Sequence, residues 1–226
     1  NSTTPFTGSS VSYHDNGQLE MRGNYKDGKG HSLWEGYYQN GQLEFRGNFK
    51  NGKEDGLIER FYENGQSEYR RNYKNGKEDG PSEFFDENGQ TEYRQNWKNG
   101  EQDGLFEYYY KTGQLMERKN YKDGKPEGLW EWFLEDGLLT ETKNYKVGLE
   151  HGLHEDFVGD FIYIRENYKN GELDGLYEKF YKFSSQLESR KNYKDGKPEG
   201  LREIFHKNSK LKGKENYKDG ILHGLW

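Results

Sequence analysis

The chain has no cysteine and no alanine, only four prolines and two methionines, and no long apolar run. Without cysteine there are no disulfides and no thiol chemistry, although the compartment stays open. Without a long apolar run, no segment has the makings of a membrane-spanning helix. Hydrophobic residues make up only 29% of the 226 and charged residues 33%, with a mean hydropathy of -1.37. A chain this polar often stays disordered, since a globular domain is about 45–50% apolar. Yet aromatic residues reach 16%, with 19 Tyr, 13 Phe and 5 Trp, the opposite of a disordered composition. The two facts agree if the chain is a thin stack of repeats, each burying a few rings against its neighbours. The lack of alanine beside abundant Asn, Lys, Tyr and Glu echoes either an AT-rich genome or the repeat itself.

Net charge is -6, the pI is near 5.7, and lysine and glutamate are interleaved with no basic block. Nucleic acid and anionic membrane lipid are therefore poor electrostatic matches for the chain. The first residue is Asn1, not Met, and the chain starts and stops inside a repeat. The expectation is a fragment or trimmed chain from which a signal peptide, a tag or more protein has been removed.

What the chain does have is a period. An Asn-aromatic-Lys triplet recurs from Asn24-Tyr25-Lys26 through Asn48-Phe49-Lys50, Asn72-Tyr73-Lys74, Asn96-Trp97-Lys98, Asn120-Tyr121-Lys122, Asn144-Tyr145-Lys146, Asn167-Tyr168-Lys169 and Asn192-Tyr193-Lys194 to Asn216-Tyr217-Lys218. The spacing is 24 residues five times, then 23, 25 and 24. Fixed self-similarity of this length marks a repeat architecture.

Two glycine turns punctuate each unit, one of the kind Asn51-Gly52 and one of the kind Asn40-Gly41 or Asn64-Gly65. Asn-Gly between short aromatic-rich runs is a strong hairpin signal, because both central residues need positive φ. Two turns per 24 residues leave two strands of about six or seven residues each. The expected fold is all-β: an elongated, single-layer antiparallel meander of about nine hairpin repeats, roughly 17 or 18 strands in a twisted ribbon of about 80 Å. Residues 1–10 read as an N-terminal extension or partial repeat, and residues 11–226 as a single array, irregular around 144–190.

With two- or four-residue loops, Glu35 faces Arg46, Glu59 faces Arg70, Glu83 faces Arg94 and Glu107 faces Arg118. At the other turn Lys50 faces Asp55, Lys74 faces Asp79, Lys98 faces Asp103 and Lys122 faces Glu127. Tyr73 then lies opposite both Gly56 and Gly80, a ring covering two strand glycines. An odd-length loop would flip every face. One face carries the aromatic column Tyr13, Tyr37, Phe61, Phe85, Tyr109, Phe133, Phe157, Phe180 and Phe205. The other carries Trp34, Ile58, Phe106, Trp130, Tyr177 and Trp226, with Tyr38, Tyr62, Tyr110 and Tyr181 nearby.

The stretches Gly128-Leu129-Trp130-Glu131-Trp132-Phe133, Asn40-Gly41-Gln42-Leu43 and Asn120-Tyr121-Lys122-Asp123-Gly124-Lys125 resemble the MORN repeat. More closely, they resemble the variant MORN repeat of bacterial YwqK-type toxin–antitoxin antitoxins. The likeness covers residues 11–226 and is specific for the repeat class but weakly so for function. It implies hairpins stacked into an elongated sheet, and roles in protein binding as antitoxin or immunity proteins, scaffolds or exported repeat proteins. Phospholipid binding, proposed for some of the family, is at odds with the acidic balance and scattered lysines here. Fold-level likeness alone is a weak guide to function.

No enzyme signature stands apart from the repeat. Glu35, Glu59, Glu83, Glu107, Glu131, Glu155, Glu178 and Glu203 share one repeat position, whereas a catalytic pair needs two carboxylates in different environments. His151 and His154, three apart on a strand, should point to opposite faces and do not make a metal pair. The acidic line Asp55, Asp79, Asp103, Glu127, Asp174 and Glu199 reads as turn stabilisation. No catalytic, cofactor-binding or metal residue is therefore nominated, and no cofactor is expected.

The period breaks between Asn144 and Tyr168, where one residue is lost and the turn becomes Val158-Gly159-Asp160. A residue is then gained at Lys182-Phe183-Ser184-Ser185. The candidate protein-contact residues are Phe157, Val158, Phe161, Ile162, Tyr163 and Ile164, together with the column Trp34, Phe106, Trp130 and Tyr177. Repeat decay and plain sheet packing are the competing readings of these two sets.

The expected function is non-catalytic protein binding, with an antitoxin- or immunity-like protein masking a toxin as the leading form. The alternatives are an exported or cell-surface structural or adhesion protein, and a targeting module of a larger protein. The partner expected is a toxin or surface protein, and exposed edge strands allow end-to-end self-association. The compartment would be the bacterial cytoplasm, or the exterior if a signal peptide was removed.

Overall fold

The computed structural model describes residues 4–225, and among them there is no helix. The chain forms two compact units, residues 1–113 and 114–226. The first holds the strands Gly8–Tyr13, Leu19–Lys26, Lys29–Tyr37, Leu43–Lys50, Lys53–Phe61, Ser67–Lys74, Lys77–Phe85, Thr91–Lys98 and Glu101–Tyr109. Each pairs antiparallel with the next. The second runs in the same manner from Leu115–Lys122 to Ile221–Leu225. Three of its outgoing strands skip one residue, at Glu127, His151 and Asp174. The all-β antiparallel meander of hairpin repeats read from the turns is the fold. Trp226, assigned by sequence to the aromatic column, lies outside the described residues.

The Asn-Gly turns are tighter than the register above assumed. Asn51 (φ 56°) and Gly52 (φ 78°) are both left-handed, and Lys50 lies opposite Lys53 across them. This is a two-residue turn of type I′, whose backbone twist matches that of the flanking strands. Lys50 therefore does not face Asp55, nor Lys74 face Asp79; Lys74 faces Lys77. For the same reason outgoing strands start directly after the turn, as Ile221–Leu225 does after Asp219-Gly220.

Two residues further on, the outgoing strand bulges. Tyr73 faces Glu78 but Arg71 faces Ser82, so Asp79, Gly80 and Pro81 stand against Asn72 alone. Tyr73 keeps its expected partner Gly56 on one side but does not meet Gly80 on the other. The bulge restores the expected register beyond it, with Glu59 opposite both Arg46 and Arg70, and Glu83 opposite Arg94.

The triplet asparagine clasps this bulge. Its carboxamide Nδ2 donates to a carbonyl nine residues on: Asn72 to Pro81 at 2.8 Å, Asn144 to Leu153 at 2.8 Å and Asn167 to Leu176 at 2.8 Å. Gly80, at φ +117°, is glycine because of that backbone conformation, and not as a seat for a ring. Strand glycines that do lie under side chains include Gly23 beneath Trp34, Gly47 beneath Ile58 and Gly36 beneath Phe45, where an added Cβ would sit 2.1 Å, 2.3 Å and 2.6 Å from its cover.

The opposite hairpin end has an odd loop. The Tyr38 N–H donates to the Gln42 carbonyl and the Gly41 N–H to the Tyr38 carbonyl, enclosing the three residues Gln39, Asn40 and Gly41. Alone, this would exchange the faces. A bulge at once compensates, since Tyr37 faces Leu43 but Gly36 faces Phe45. Glu35 and Arg46 still meet.

Successive hairpins hang from one another at the tight turns. The N–H of Asn75 donates to the Asp55 carboxylate at 3.2 Å, that of Asn99 to Asp79 at 3.1 Å, that of Val147 to Glu127 at 2.8 Å and that of Asp219 to Glu199 at 2.8 Å. Beside each, the turn glycine donates to the previous hairpin, as Gly76 does to the Glu54 carbonyl at 2.8 Å. The acidic line stabilises turns, but one repeat along and through backbone donors instead of lysines. Each such bond contributes on the order of 1 kcal/mol.

Burial is shallow. Ile58, 8% exposed, is the only buried apolar residue among those described. One face is a ladder of charge: Glu59 accepts from Arg46 at 2.5 Å and lies 3.4 Å from Arg70, and Arg46 and Arg70 lie over Phe61 and Phe85 at 5.7 Å and 5.4 Å. The other face is aromatic.

Candidate interaction surface

On the aromatic face of the first unit, Trp34 covers Gly23, meets Tyr25 edge-on at 5.0 Å and donates its indole N–H to the Asn24 carbonyl. Farther along, the Arg71 guanidinium lies between Tyr69 and Phe84, 4.5 Å and 4.6 Å from their centroids. Phe84 stacks on Tyr93 at 4.1 Å, and Phe106 lies 6.1 Å from Tyr93. In the second unit Trp130 packs between Tyr145 at 4.6 Å and Tyr121 at 5.2 Å, with Lys119 5.0 Å above it. Tyr177 pairs with Tyr193 at 6.0 Å, and the Lys191 ammonium serves both rings.

Trp34, Phe106, Trp130 and Tyr177 are thus half-buried and engaged with their neighbours. Cations fill the gaps between rings, an arrangement in which each cation–π contact is worth about 0.5–2 kcal/mol. Burial raises the phenol pKa of Tyr121, Tyr145 and Tyr177.

The irregular hairpin brings the other nominated residues together. Phe157 faces Ile162 and Val158 faces Phe161, closing a two-residue turn in which Gly159 has φ 61° and Asp160 an ordinary φ. A glycine at the first central position fits a type II′ turn, and this shorter loop accounts for the missing residue. Phe161 is 40% exposed; Phe157, Val158, Ile162 and Ile164 are half-buried. Tyr163 is covered by Lys179 and Lys182 at 5.8 Å and 5.2 Å. Ile164 faces Asp156 on one side and Lys179 on the other.

The odd-loop edge explains why this hairpin matters. In regular repeats, side chains there tie one hairpin to the next: the Tyr38 hydroxyl donates to the Phe61 carbonyl at 2.7 Å and the Tyr62 hydroxyl to the Phe85 carbonyl at 2.8 Å. Asn40 and Asn64 make parallel ties to the Glu63 and Glu87 carbonyls. Tyr181 donates likewise to Phe205 at 2.8 Å. Of the four hairpins between Tyr62 and Tyr181, one keeps Tyr110 at this position and one has Asp86, whereas Leu134 and Val158 place apolar groups there and have no hydroxyl to donate. Along this stretch the edge instead exposes Leu134 (48%), Leu138, Phe161 and Phe183 (70%). Leu134, Leu138 and Phe183 were not nominated from sequence. The available signal was leucine where other repeats place Tyr or Gln, and a phenylalanine inside the inserted loop.

A second departure lies on the aromatic face. His154 stands in the column of Trp34, Ile58 and Trp130, but its neighbours are carboxylates. Its Nε2 is 3.1 Å from Glu141 and 3.4 Å from Asp156, and its Nδ1 is 3.3 Å from Glu166, which also accepts the Tyr168 hydroxyl at 2.8 Å. Burial lowers the imidazole pKa, but the bonds to Asp156 and Glu166 outweigh it and push it up to about 9. The bond to His154 in turn lowers the Glu166 pKa. His154 finds its partners on neighbouring strands, not in His151.

The shared glutamate column is paired rather than poised for acid–base work. Arg22, Arg46, Arg165 and Arg190 hold Glu35, Glu59, Glu155 and Glu203 at 2.5, 2.5, 2.8 and 2.6 Å. Carboxylates so held sit in like environments, not in the contrasting pair that acid–base catalysis needs.

Comparison with curated proteins gives no significant match. Among solved structures, a chain in "Crystal Structure of TcdB2-TccC3-TEV" is matched at 12% identity over 93% of this chain and 13% of that one, with a TM-score of 0.22. At that score it carries no argument. The profile of the MORN repeat variant matches residues 6–27, 31–51, 54–75, 78–99, 102–123 and 198–219, together more than half of the chain. The unmatched interval holds Leu134, Val158, the shifted loops and the His154 cluster. By this match and by its hairpins, the chain belongs to the MORN repeat variant family.

Proposed function

We propose that this is a non-catalytic protein-binding repeat protein whose regular hairpins are scaffold and whose contact surface is the odd-loop edge of the second unit. The observation that carries the reading is a coincidence of two features. Where Leu134 and Val158 remove the inter-hairpin hydroxyl tie, the same edge exposes Leu134, Leu138, Phe161 and Phe183. Contiguous exposed apolar groups are the ordinary mark of a protein contact, and large rigid rings anchor such contacts well. The finer form of the proposal is an antitoxin- or immunity-like role, in which acidic hairpins with a net charge of -6 over the chain cover a basic protein surface.

The test is affinity capture from the native host with the untagged chain immobilised, carried out with and without nuclease and with detergent washes. A protein retained through both treatments supports the reading. Retention of only nucleic acid or lipid contradicts it. Replacing the exposed Phe161 and Phe183 with Ser should release that protein while the β-type circular dichroism spectrum is unchanged.

A further inference from the structure

Four positions of the aromatic face change character together, Glu141 in one hairpin and the other three in the next, residues 152–169. Where other hairpins place Trp34, Ile58 or Trp130, this one has His154; where they place Phe84, Tyr108 or Trp132, it has Asp156. Glu141 takes the position of Tyr69 and Tyr93, and Glu166 that of Lys119 and Lys191. Side chains that in most hairpins stack or carry positive charge become one imidazole and three carboxylates; Glu117 and Glu215 place single carboxylates at the Glu141 and Glu166 positions, but only here do all four come together. Sheet register gathers them from three adjacent strands, with Glu141 opposite Asp156 and His154 opposite Glu166.

We propose that Glu141, His154 and Asp156 form a binding site for a divalent transition-metal ion of the zinc class. Their ligand atoms lie within 4.8 Å of one another. His154 Nε2 is 3.1 Å from Glu141 Oε1 and 3.4 Å from Asp156 Oδ1. A tetrahedral ion with bonds of about 2.0–2.2 Å sets its ligands about 3.3–3.6 Å apart, so side-chain adjustment alone closes the site. The imidazole selects zinc, cobalt or nickel over magnesium and calcium, which take all-oxygen shells.

The second observation is what lies behind the imidazole. Glu166 sits 3.3 Å from Nδ1 and is itself held by the Tyr168 hydroxyl at 2.8 Å. A carboxylate on the far ring nitrogen of a ligating histidine orients the ring and keeps the proton on Nδ1, so that the arriving ion displaces the Nε2 proton of the imidazolium. Here that carboxylate is itself oriented by Tyr168. The His154 side chain is 12% exposed and those of Glu141 and Asp156 are 29% and 36% exposed, so the carboxylates are the solvent side of the site, from which an ion would enter. Lys143 is the built-in competitor. Its ammonium lies 2.8 Å from Glu141 Oε1 and must shift toward Glu150, now 3.7 Å away, when an ion arrives.

The experiment is calorimetric titration of the untagged full chain with Zn2+, repeated on His154→Gln, Glu166→Gln, Lys143→Met and the control His151→Gln. The expected result is a single site that His154→Gln abolishes, that Glu166→Gln weakens by about tenfold, that Lys143→Met tightens, and that His151→Gln leaves alone. No saturable heat with the wild type, or equal binding by His154→Gln, overturns the proposal. Should His154→Gln fail to fold, Co2+ added to the wild type decides. Paramagnetic broadening of the His154 imidazole resonances ahead of the other five histidines supports the site, and broadening led by another histidine overturns it.

Discussion

The Asn72 carboxamide donates to the Pro81 carbonyl at 2.8 Å, and the Asn72 Cβ lies 3.2 Å from where a Cβ on Gly80 would stand. One asparagine thus closes a bulge whose left-handed residue is its own neighbour. The same clasp is made by Asn96, Asn120, Asn144 and Asn167, and a Gly stands eight residues after the Asn in most triplets.

Replacing Asn72 with Ala should lower unfolding stability by about 1 kcal/mol, the usual net worth of such a bond. Replacing Gly80 with Ala should cost about 1–3 kcal/mol, since φ +117° is a region that side chains avoid. The two changes act on one bulge, so the double variant should lose less than their sum in urea denaturation. Strict additivity would mean that the clasp and the bulge are independent.

Val147 is a β-branched residue at φ 52°, where the other tight turns place Asn or Asp. Asn tolerates the left-handed region far better than Val. Val147→Asn should therefore raise stability by about 1 kcal/mol, read as a higher thermal midpoint. The Glu127 bond to the residue's backbone N–H is unaffected by the change. A midpoint that falls would show that the Val147 side chain makes a contact worth more than the strain.

Gly23 lies under Trp34, and an added Cβ would stand 2.1 Å from the indole. Gly23→Ala must lift the ring off the sheet, at a cost of about 1–3 kcal/mol. Fluorescence of Trp34, isolated by replacing the other four tryptophans with Phe, should shift to the red. An unchanged emission maximum would mean that the ring is not seated as described.

The Arg190 hydrogen bond, with Lys214 adding to it, holds the Glu203 carboxyl below its ordinary pKa. The folded state therefore binds its proton less readily than the unfolded chain does. The stabilisation is complete above about pH 4.5, the unfolded value, and is lost as pH falls through the lower folded value. Glu203→Gln should flatten the acid limb of stability against pH below about 4.5 and leave its slope above pH 6 unchanged. An acid limb identical to wild type would remove Glu203 from the account.

The repeat, its hairpins and the Glu–Arg register were legible because each depends on local chemistry: Asn-Gly turns, alternation along a strand, and opposite charges equally spaced from a turn. The two bulges were not, since an extra strand residue changes no composition and the two errors in loop length cancelled by the time Glu59 meets Arg46 and Arg70. Asp55 was paired with the wrong group for the same reason, because its acceptor role reaches across a repeat to the Asn75 backbone. The His154 cluster was hidden by searching within one strand. Its members come from three strands that only the register brings together. Phe161 was legible as an irregularity, whereas Leu134 becomes meaningful only once Tyr38 and Tyr62 are seen to tie hairpins together.

The central claim is that the departures from the repeat in the second unit bind a protein and the regular hairpins support them. The most direct measurement restores the consensus there, with Leu134→Tyr, Leu138→Gln and Phe183→Ser in one chain, and compares it with wild type as bait. Captured protein is quantified by mass spectrometry beside the thermal midpoint of each bait. The expected result is at least about tenfold less partner on the restored chain, a loss of about 1.4 kcal/mol or more in binding, with a midpoint equal to or above wild type. Equal capture by a restored chain that is folded and stable would contradict the claim.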